Sequence, residues 1–464
     1  MATNCALTLC SDTELLRKHW RHPGCVGRLT IDTAARPGLD GYISQAYDQF
    51  ARISAYLHLQ VPAITNMLDE IERQAAFFRD RAEQNEQSYK LAPEVFQALI
   101  DIGAIHAMVP RSLGGSEFDA MDKLRLIEAL AEIDASTAWV AMAVGFCTAA
   151  AAAYLPQSTV EKIFHAQPPP EHSQRPAVIA GAGAPTGVAR AVPGGFVVTG
   201  HWRYGSGILH AGWAHCGAVC ELNGSKLQNE HGAPVTRMCY IPMDAVRLGG
   251  NWDVIGLRAT GSVDFSVEGV FVPEDFTCPS AAPIHRRGSP IFAHSFTLAT
   301  YIGHTAWALG TGRRLLDELA RFVRAQAQRT SAIGGNHAFQ EKYAHCEATL
   351  LAARAFAHAS WQNTQDRARA GDVLDTQALT QIRLALVHAT ETAADIAAFA
   401  YRIAGGDTLR QGTLQRLCRD IQAGCQHMTS SPPVKQACGR VLAGLAEGEY
   451  WVTNSLVKAP TAPR

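Results

Sequence analysis

Phe196-Val197-Val198-Thr199-Gly200-His201-Trp202-Arg203-Tyr204 places apolar residues or glycine at its even positions and mostly polar residues at its odd ones. A period of two is typical of a half-buried β-strand, and the turn Pro193-Gly194-Gly195 introduces it. Residues 263–268 alternate in the same way. These segments predict a small all-β domain in the middle of the chain.

The sequence on either side of this domain has a helical period. After Pro93, apolar residues recur at steps of three and four, and from Ile291 onward the same period returns and stays. The pattern predicts an α+β fold that is mostly α. We assign an N-terminal extension of unassigned role (1–61), an N-terminal helical domain (62–172), a central β-domain (173–284) and a C-terminal four-helix bundle (285–464).

Composition excludes several classes of function. The 464 residues carry 41 Lys and Arg against 42 Asp and Glu, a formal net charge of −1, so no basic face for nucleic acid or an anionic membrane is expected. No apolar run reaches the roughly 18 residues that span a bilayer, the longest lying around 141–155. The 12 cysteines form no C-x-x-C pair. We therefore expect a reduced cytoplasmic protein without a metal centre.

The glycine-rich run Gly181-Ala182-Gly183-Ala184-Pro185-Thr186-Gly187 is the one segment that suggests a nucleotide site. A dinucleotide fingerprint needs a helix that begins on the glycines. Pro185 and the turn at 193–195 prevent that helix, so we interpret the run as a loop that leads into a hairpin. The sequence also lacks a P-loop, a G-x-S-x-G elbow and an H-E-x-x-H motif.

The domain order and six local phrases together resemble the acyl-CoA dehydrogenase fold family over residues 62–450. The phrases lie at 91–104, 109–115, 200–207 with 211–213, 256–265, 270–273, and 401–406 followed by 414–416, 419–420 and 426–427. The resemblance implies the three-domain acyl-CoA dehydrogenase-like fold. It also implies a homotetramer that assembles through the C-terminal helices.

Within that family the phrases at 202–207 and 259–264 are similar to those of the two-component flavin-dependent monooxygenases, such as the oxygenase component of p-hydroxyphenylacetate hydroxylase and dibenzothiophene monooxygenase. Acyl-CoA dehydrogenases usually carry a glutamate base shortly after the Arg-Asp pair. Here residues 421–429, which follow Arg419-Asp420, contain no carboxylate. Loss of a positioned base costs roughly 10²–10⁴ in rate, so the sequence favours oxygenation over dehydrogenation.

The monooxygenase resemblance implies a cofactor, a partner and a reaction. A separate flavin reductase would supply reduced flavin (FMN or FAD), which with O₂ would form a C4a-hydroperoxyflavin. The substrate would be a small aromatic or N/S-containing molecule. The sequence does not distinguish FMN from FAD as the flavin. It also does not identify the substrate or the role of residues 1–61.

The resemblance also assigns site residues. It implies His427 and Ser206 as catalytic: His427 would accept a substrate proton or hydrogen-bond the flavin hydroperoxide, and the Ser206 hydroxyl would donate to flavin N5. Tyr204, Ser206, Gly405 and Gly406 would bind the cofactor, the two glycines from a neighbouring subunit. Relatives that hydroxylate phenols often carry a histidine where this chain has Cys147, which leaves its oxygen chemistry an open question.

Two other functions remain as alternatives. An FAD-dependent acyl-CoA dehydrogenase-like oxidoreductase would be yellow as purified and would bleach with an acyl-CoA. A non-catalytic oligomeric binding protein would hold no flavin.

Overall fold

The described part of the protein follows the predicted order of helices, a central sheet and further helices. In a computed structural model it comprises residues 63–164, 177–229, 232–280, 284–294, 297–326 and 333–458. The predicted extension (1–61) and the boundary at 172/173 lie outside these residues. The mostly α, α+β class of the acyl-CoA dehydrogenase-like fold is confirmed.

The N-terminal helices pack around one long apolar helix. Their bounds are α1 Ala63–Arg73, α2 Ala75–Gln87, α3 Pro93–Asp101, α4 Ala120–Ala131, α5 Ala135–Tyr154 and α6 Gln157–Phe164. Pro93 occupies the first turn of α3, where its missing N–H costs nothing. Asp134 caps α5 by accepting from the Thr137 backbone N–H at 2.9 Å. The caps thus begin the helices where the sequence pattern does.

Helix α5 is longer than its apolar run suggests. It covers 20 residues and is apolar enough to cross a membrane by length and composition, a span that the sequence analysis judged too short. Of the tested window, 89% is buried inside the protein. That burial is typical of a core helix.

The central sheet contains eight of the described strands. They are β1 Ile179–Val192, β2 Gly195–Trp202, β3 Trp213–Leu222, β4 Ser225–Lys226, β5 Thr236–Pro242, β6 Arg247–Leu248, β7 Phe265–Pro273 and β8 Thr277–Pro279, in the order β6-β7-β2-β1-β3-β5-β8 with β4 beside β3. The glycine-rich run at 181–187, interpreted from the sequence as a loop, instead lies within strand β1. The β1–β2 hairpin turns at Gly194, whose φ is +82°. Trp202 lies in the core, stacked on Phe265, and donates to the Gly217 carbonyl at 2.7 Å.

The C-terminal helices are mostly long, and many of their buried residues are small. Their bounds are α7 Leu298–Ala325, α8 His337–Ala370, α9 Thr376–Ala404, α10 Thr413–Gly424 and α11 Pro432–Leu442. Helix α10 passes close over α7 because Gly424 has no side chain: a Cβ there would lie 2.1 Å from the Trp307 ring. Trp307 in turn makes an edge-on contact with Trp139, with 5.0 Å between the ring centroids.

The chain's last described segment is a hairpin that the sequence analysis did not predict. Strands β9 Glu449–Val452 and β10 Ser455–Lys458 pair antiparallel within the region assigned to the helical bundle. Trp451 anchors them by donating to Thr380 Oγ1 at 2.8 Å, and Tyr301 donates to the Thr453 carbonyl at 2.9 Å. Four-residue strands are too short to show a clear period in the sequence. The hairpin is instead stabilised by the tertiary contact of Trp451, which sequence pattern does not show.

Candidate active site

Ser206 lies in the tight turn that follows strand β2. Gly205 N–H donates to the Val263 carbonyl at 3.1 Å, and Gly207 N–H donates to the Thr260 carbonyl at 3.0 Å. Gly207 has φ +73°, and a Cβ there would lie 2.5 Å from Val144. Only glycine fits that position without strain. Two backbone bonds and one glycine therefore fix the serine between the sheet and helix α5.

A chain of four side chains, here called the hydroxyl chain, determines what the Ser206 hydroxyl offers. Thr260 Oγ1 donates its one hydrogen to the Leu257 carbonyl at 2.7 Å. Ser262 Oγ, at 2.6 Å from Thr260 Oγ1, must then donate to Thr260, and Ser206 Oγ, at 2.8 Å from Ser262 Oγ, must donate to Ser262. Trp139 Nε1 donates to Ser206 at 3.0 Å. The Ser206 hydrogen is thus committed, and a lone pair remains.

Trp139 connects Ser206 to two imidazoles. The Trp139 ring meets His304 edge-on at 5.0 Å between centroids and meets His427 edge-on at 5.9 Å. The two imidazoles stack on each other at 3.8 Å with an interplanar angle of 28°. The structure therefore brings the two predicted catalytic residues, Ser206 and His427, into contact with the same indole ring.

The hydrogen bonds of His427 fix the position of its ring hydrogen. The Thr429 backbone N–H donates to Nδ1 at 3.4 Å, and Thr429 Oγ1 lies 2.9 Å from the same nitrogen. A nitrogen that accepts from a backbone N–H carries no hydrogen, so the neutral ring is protonated on Nε2. Burial lowers the pKa of His427 to about 4, which keeps the ring neutral near pH 7.

His304 is the site residue that the sequence analysis missed. It lies within the apolar run of helix α7, 8% exposed, and no hydrogen bond joins its ring to another described residue. Burial, with a smaller effect of the neighbouring His427, holds the pKa of His304 well below its ordinary value. A histidine inside the stretch Leu298–Gly310, which is otherwise apolar, Thr or Gly, was the available signal. Its stacking partner lies 123 positions away, which no local pattern shows.

Helix α10 holds the loop that carries the hydroxyl chain, residues 255–262, here called the 255–262 loop. Asp420 Oδ1 accepts from the Leu257 N–H at 2.6 Å, and Arg419 donates to the Ile255 carbonyl at 2.7 Å. Arg419 also pairs with Glu86 at 2.5 Å. A Cβ on Gly256 would lie 2.1 Å from the Arg419 carbonyl oxygen. Arg419 and Asp420 therefore hold the 255–262 loop in place through its backbone.

The remaining predicted residues lie apart from this cluster. Tyr204 is 56% exposed, with its ring 5.5 Å from that of Trp252. Gly405 and Gly406 end helix α9 in an open position where an added Cβ would meet nothing within 4 Å. Cys147 is buried eight residues after Trp139, about 12 Å along α5, and burial raises the pKa of its thiol to about 12. That thiol is therefore neutral at the pH of the cell.

The acidic side chains Asp420, Asp134 and Glu128 interact with groups outside the cluster of Ser206, Trp139, His304 and His427. In the part of the chain that the structure describes, no carboxylate hydrogen-bonds or ion-pairs with Ser206, Trp139, His304 or His427. Asp420 serves the 255–262 loop, Asp134 caps α5, and Glu128 pairs with Arg354 and His358. The described residues also contain no group of three or more His, Cys, Asp or Glu able to hold a metal. The cluster offers neutral hydrogen-bonding groups on aromatic surface.

Comparison with known proteins gives the same family over both helical regions. Models of the acyl-CoA dehydrogenase N-terminal and C-terminal domains match residues 67–156 and 302–432. The indole-3-acetate monooxygenase of Pseudomonas putida is 30% identical over 389 residues, covering 82% of this chain and 94% of the relative. The flavin-dependent monooxygenase oxygenase subunit HsaA of Rhodococcus jostii is 27% identical, covering 82% and 97%.

Among solved structures, XiaF from Streptomyces sp. in complex with FADH2 and glycerol matches with a TM-score of 0.71 at 20% identity. The match covers 86% of this chain and 98% of XiaF. At that identity it shows the shared fold. The chain belongs to the acyl-CoA dehydrogenase family, in the branch of flavin-dependent monooxygenases that serve as oxygenase components.

Proposed function

We propose that this monooxygenase uses reduced flavin from a separate reductase to transfer one oxygen atom of O₂ to a planar aromatic substrate held against Trp139, His304 and His427. The observation that carries the proposal is the cluster itself: three aromatic rings in mutual contact, joined by one hydrogen bond to Ser206. Stacking and edge-on contacts favour a flat aromatic guest. The indole-3-acetate named for the Pseudomonas putida relative is such a molecule.

The donor set fits a reduced flavin. The isoalloxazine ring in its reduced form carries an N–H at N5, where the oxidised ring carries a lone pair. The hydroxyl chain leaves Ser206 with an accepting lone pair, so Ser206 would accept from the reduced ring and has no free hydrogen for the oxidised one. Ser206 would therefore act as an acceptor, in place of the donor that the family resemblance implied.

Flavin, when bound, supplies the activation of dioxygen, and the residues of this chain do the rest. Ser206 would orient the ring edge, and Tyr204, exposed beside Trp252, would cover one face of it. His427 would present its Nε2–H as a hydrogen-bond donor, since Nδ1 is engaged by Thr429. Of the two roles implied for His427, donation fits its hydrogen bonding. The aromatic rings would limit access of water to the reacting atoms.

The rival acyl-CoA reaction needs a base that this cluster lacks. Removal of an α-proton from a thioester requires a carboxylate or similar group within hydrogen-bond reach. Among the described residues, no carboxylate hydrogen-bonds or ion-pairs with Ser206, Trp139, His304 or His427. Together with the monooxygenase relatives, this supports oxygen transfer.

Rapid mixing tests the proposal. Protein loaded with reduced flavin without oxygen is mixed with aerated buffer, and absorbance is followed. We expect a transient distinct from both reduced and oxidised flavin, followed by oxygenated product when an aromatic substrate is present. Single-step conversion to oxidised flavin with release of hydrogen peroxide would count against it. So would bleaching of bound oxidised flavin by an acyl-CoA.

We also propose that the functional unit is a homotetramer in which Gly405 and Gly406 contribute backbone N–H groups to a neighbouring subunit's flavin. The open position of both glycines at the end of helix α9 supports this, because a closely approaching partner needs a surface without side chains. Light scattering should give four times the chain mass. The variant Gly406→Val should weaken flavin binding while leaving the fold of the single chain unchanged.

A further inference from the structure

We infer that His304 is a catalytic residue: it accepts the hydrogen bond of the substrate's N–H or O–H group and takes up that proton, while His427 donates. The inference rests on the proposed function and deepens it. It assigns the substrate class, an aromatic ring with a hydrogen-bond donor attached, and it divides the roles of two stacked imidazoles.

The first step is the tautomer of His427. Its Nδ1 already accepts from the Thr429 backbone N–H at 3.4 Å and lies 2.9 Å from Thr429 Oγ1. Its other nitrogen therefore carries the ring hydrogen. The hydrogen of a substrate N–H or O–H group needs an acceptor, and the Nε2–H of His427 cannot accept it. His427 is thus committed to donation.

The second step is that a ring nitrogen of His304 is able to accept a hydrogen bond from a ligand. No hydrogen bond ties its ring nitrogens to any other described residue, so the neutral ring keeps one accepting nitrogen. His304 belongs to the same aromatic cluster as His427, because the two rings stack at 3.8 Å and both make edge-on contacts with Trp139. A ligand stacked in the cluster can therefore reach a donor and an acceptor that are one ring apart.

The third step is the proton balance. When oxygen reaches the ring, the substrate's N–H or O–H bond breaks, its electron pair stays on the substrate heteroatom, and the proton forms a new N–H bond on His304. The substrate becomes more electron-rich as it is attacked. Because His427 lies in contact with His304, a second proton on the pair is disfavoured. The pair thus takes up one additional proton at a time, beyond the one hydrogen that each neutral ring carries.

Binding of two matched ligands tests the inference. Indole and benzofuran have the same shape, and benzofuran has a ring oxygen in place of the N–H. Calorimetry is run on protein loaded with reduced flavin and kept free of oxygen, so the readout is affinity and not turnover. We expect the natural protein to bind indole about tenfold more tightly than benzofuran, the range of one buried hydrogen bond.

Variants locate the acceptor. His304→Leu removes the acceptor, and we expect the preference for indole to fall to within about twofold. His304→Gln keeps an accepting oxygen and should retain much of the preference, whereas His427→Leu should leave it in place. Equal affinity of the natural protein for both ligands would overturn the inference, and this measurement needs no variant to fold. Loss of the preference in His427→Leu alone would assign the acceptor to His427 instead.

The outcome separates this inference from the proposed function. If indole is preferred through His304 but no aromatic ligand is ever oxygenated, the oxygenase proposal fails and the acceptor role stands. If oxygenation occurs and His304→Leu keeps the preference, the acceptor role fails and the oxygenase proposal stands.

Discussion

The carboxylate of Asp420 accepts a hydrogen bond from the backbone N–H of Leu257 at 2.6 Å, across 163 positions of sequence. Leu257 has φ +53°, a left-handed conformation that costs a residue with a side chain about 1 kcal/mol or more. The bond holds that conformation, and the Leu257 carbonyl then starts the hydroxyl chain that ends at Ser206. Asp420 on helix α10 thus influences the position of Ser206 through the backbone of Leu257 and the hydroxyl chain.

Asp420 predicts a pH-dependent stability with a definite sign. Burial raises its pKa in the folded protein from 3.8 to about 7. Between those values the unfolded chain has lost the proton and the folded protein has kept it, so stability falls by about 1.4 kcal/mol per pH unit as pH rises. Above pH 7 the loss levels off.

Urea unfolding at several pH values checks this. Asp420→Asn keeps an accepting oxygen and cannot ionise, so its stability relative to the natural protein should rise between pH 4 and 7 and stay level above. Asp420→Ala loses the hydrogen bond and should be destabilised by about 1–3 kcal/mol. A parallel pH dependence for Asp420→Asn and the natural protein would show that Asp420 ionises normally.

Close packing at Gly256 gives a second prediction. A Cβ there would lie 2.1 Å from the Arg419 carbonyl oxygen and 2.7 Å from the Asp420 nitrogen, both backbone atoms. Gly256→Ala should therefore displace the 255–262 loop, destabilise the protein by about 1–3 kcal/mol and increase peroxide release per oxygen consumed.

Gly250 is a matched control in the same connection, since a Cβ there meets nothing within 4 Å. Gly250→Ala should change neither stability nor peroxide release. Equal behaviour of the two variants, measured by thermal unfolding and peroxide assay, would contradict the packing argument.

The hydroxyl chain predicts which flavin redox state the protein prefers. Ser206→Ala removes the accepting lone pair, so the preference for reduced over oxidised flavin should fall by about tenfold. Ser262→Ala instead frees the Ser206 hydrogen, which can then donate, and binding of oxidised flavin should strengthen. Fluorescence titration with each redox form measures both effects. A lower affinity of Ser262→Ala for oxidised flavin would mean that donors and acceptors in the hydroxyl chain are in the reverse order.

Local sequence pattern predicts the fold and part of the site. The alternation at 196–204 identifies strand β2, and Pro93 and Asp134 mark helix starts, because these signals arise within a few residues. Ser206 and His427 were assigned through the family resemblance of local phrases, and both contact Trp139. His304 and the role of Asp420 depend on contacts between distant segments, as does the hairpin anchored by Trp451. Such contacts leave no period in the sequence.

Isotope labelling tests most directly whether this site transfers oxygen from O₂ to an aromatic ring. The direct measurement supplies heavy-isotope dioxygen to protein with reduced flavin and, in separate reactions, indole, phenol or resorcinol, and analyses the products by mass spectrometry. We predict one labelled oxygen atom in the product of at least one ring. Recovery of all consumed oxygen as hydrogen peroxide, with every ring unlabelled, would contradict the claim.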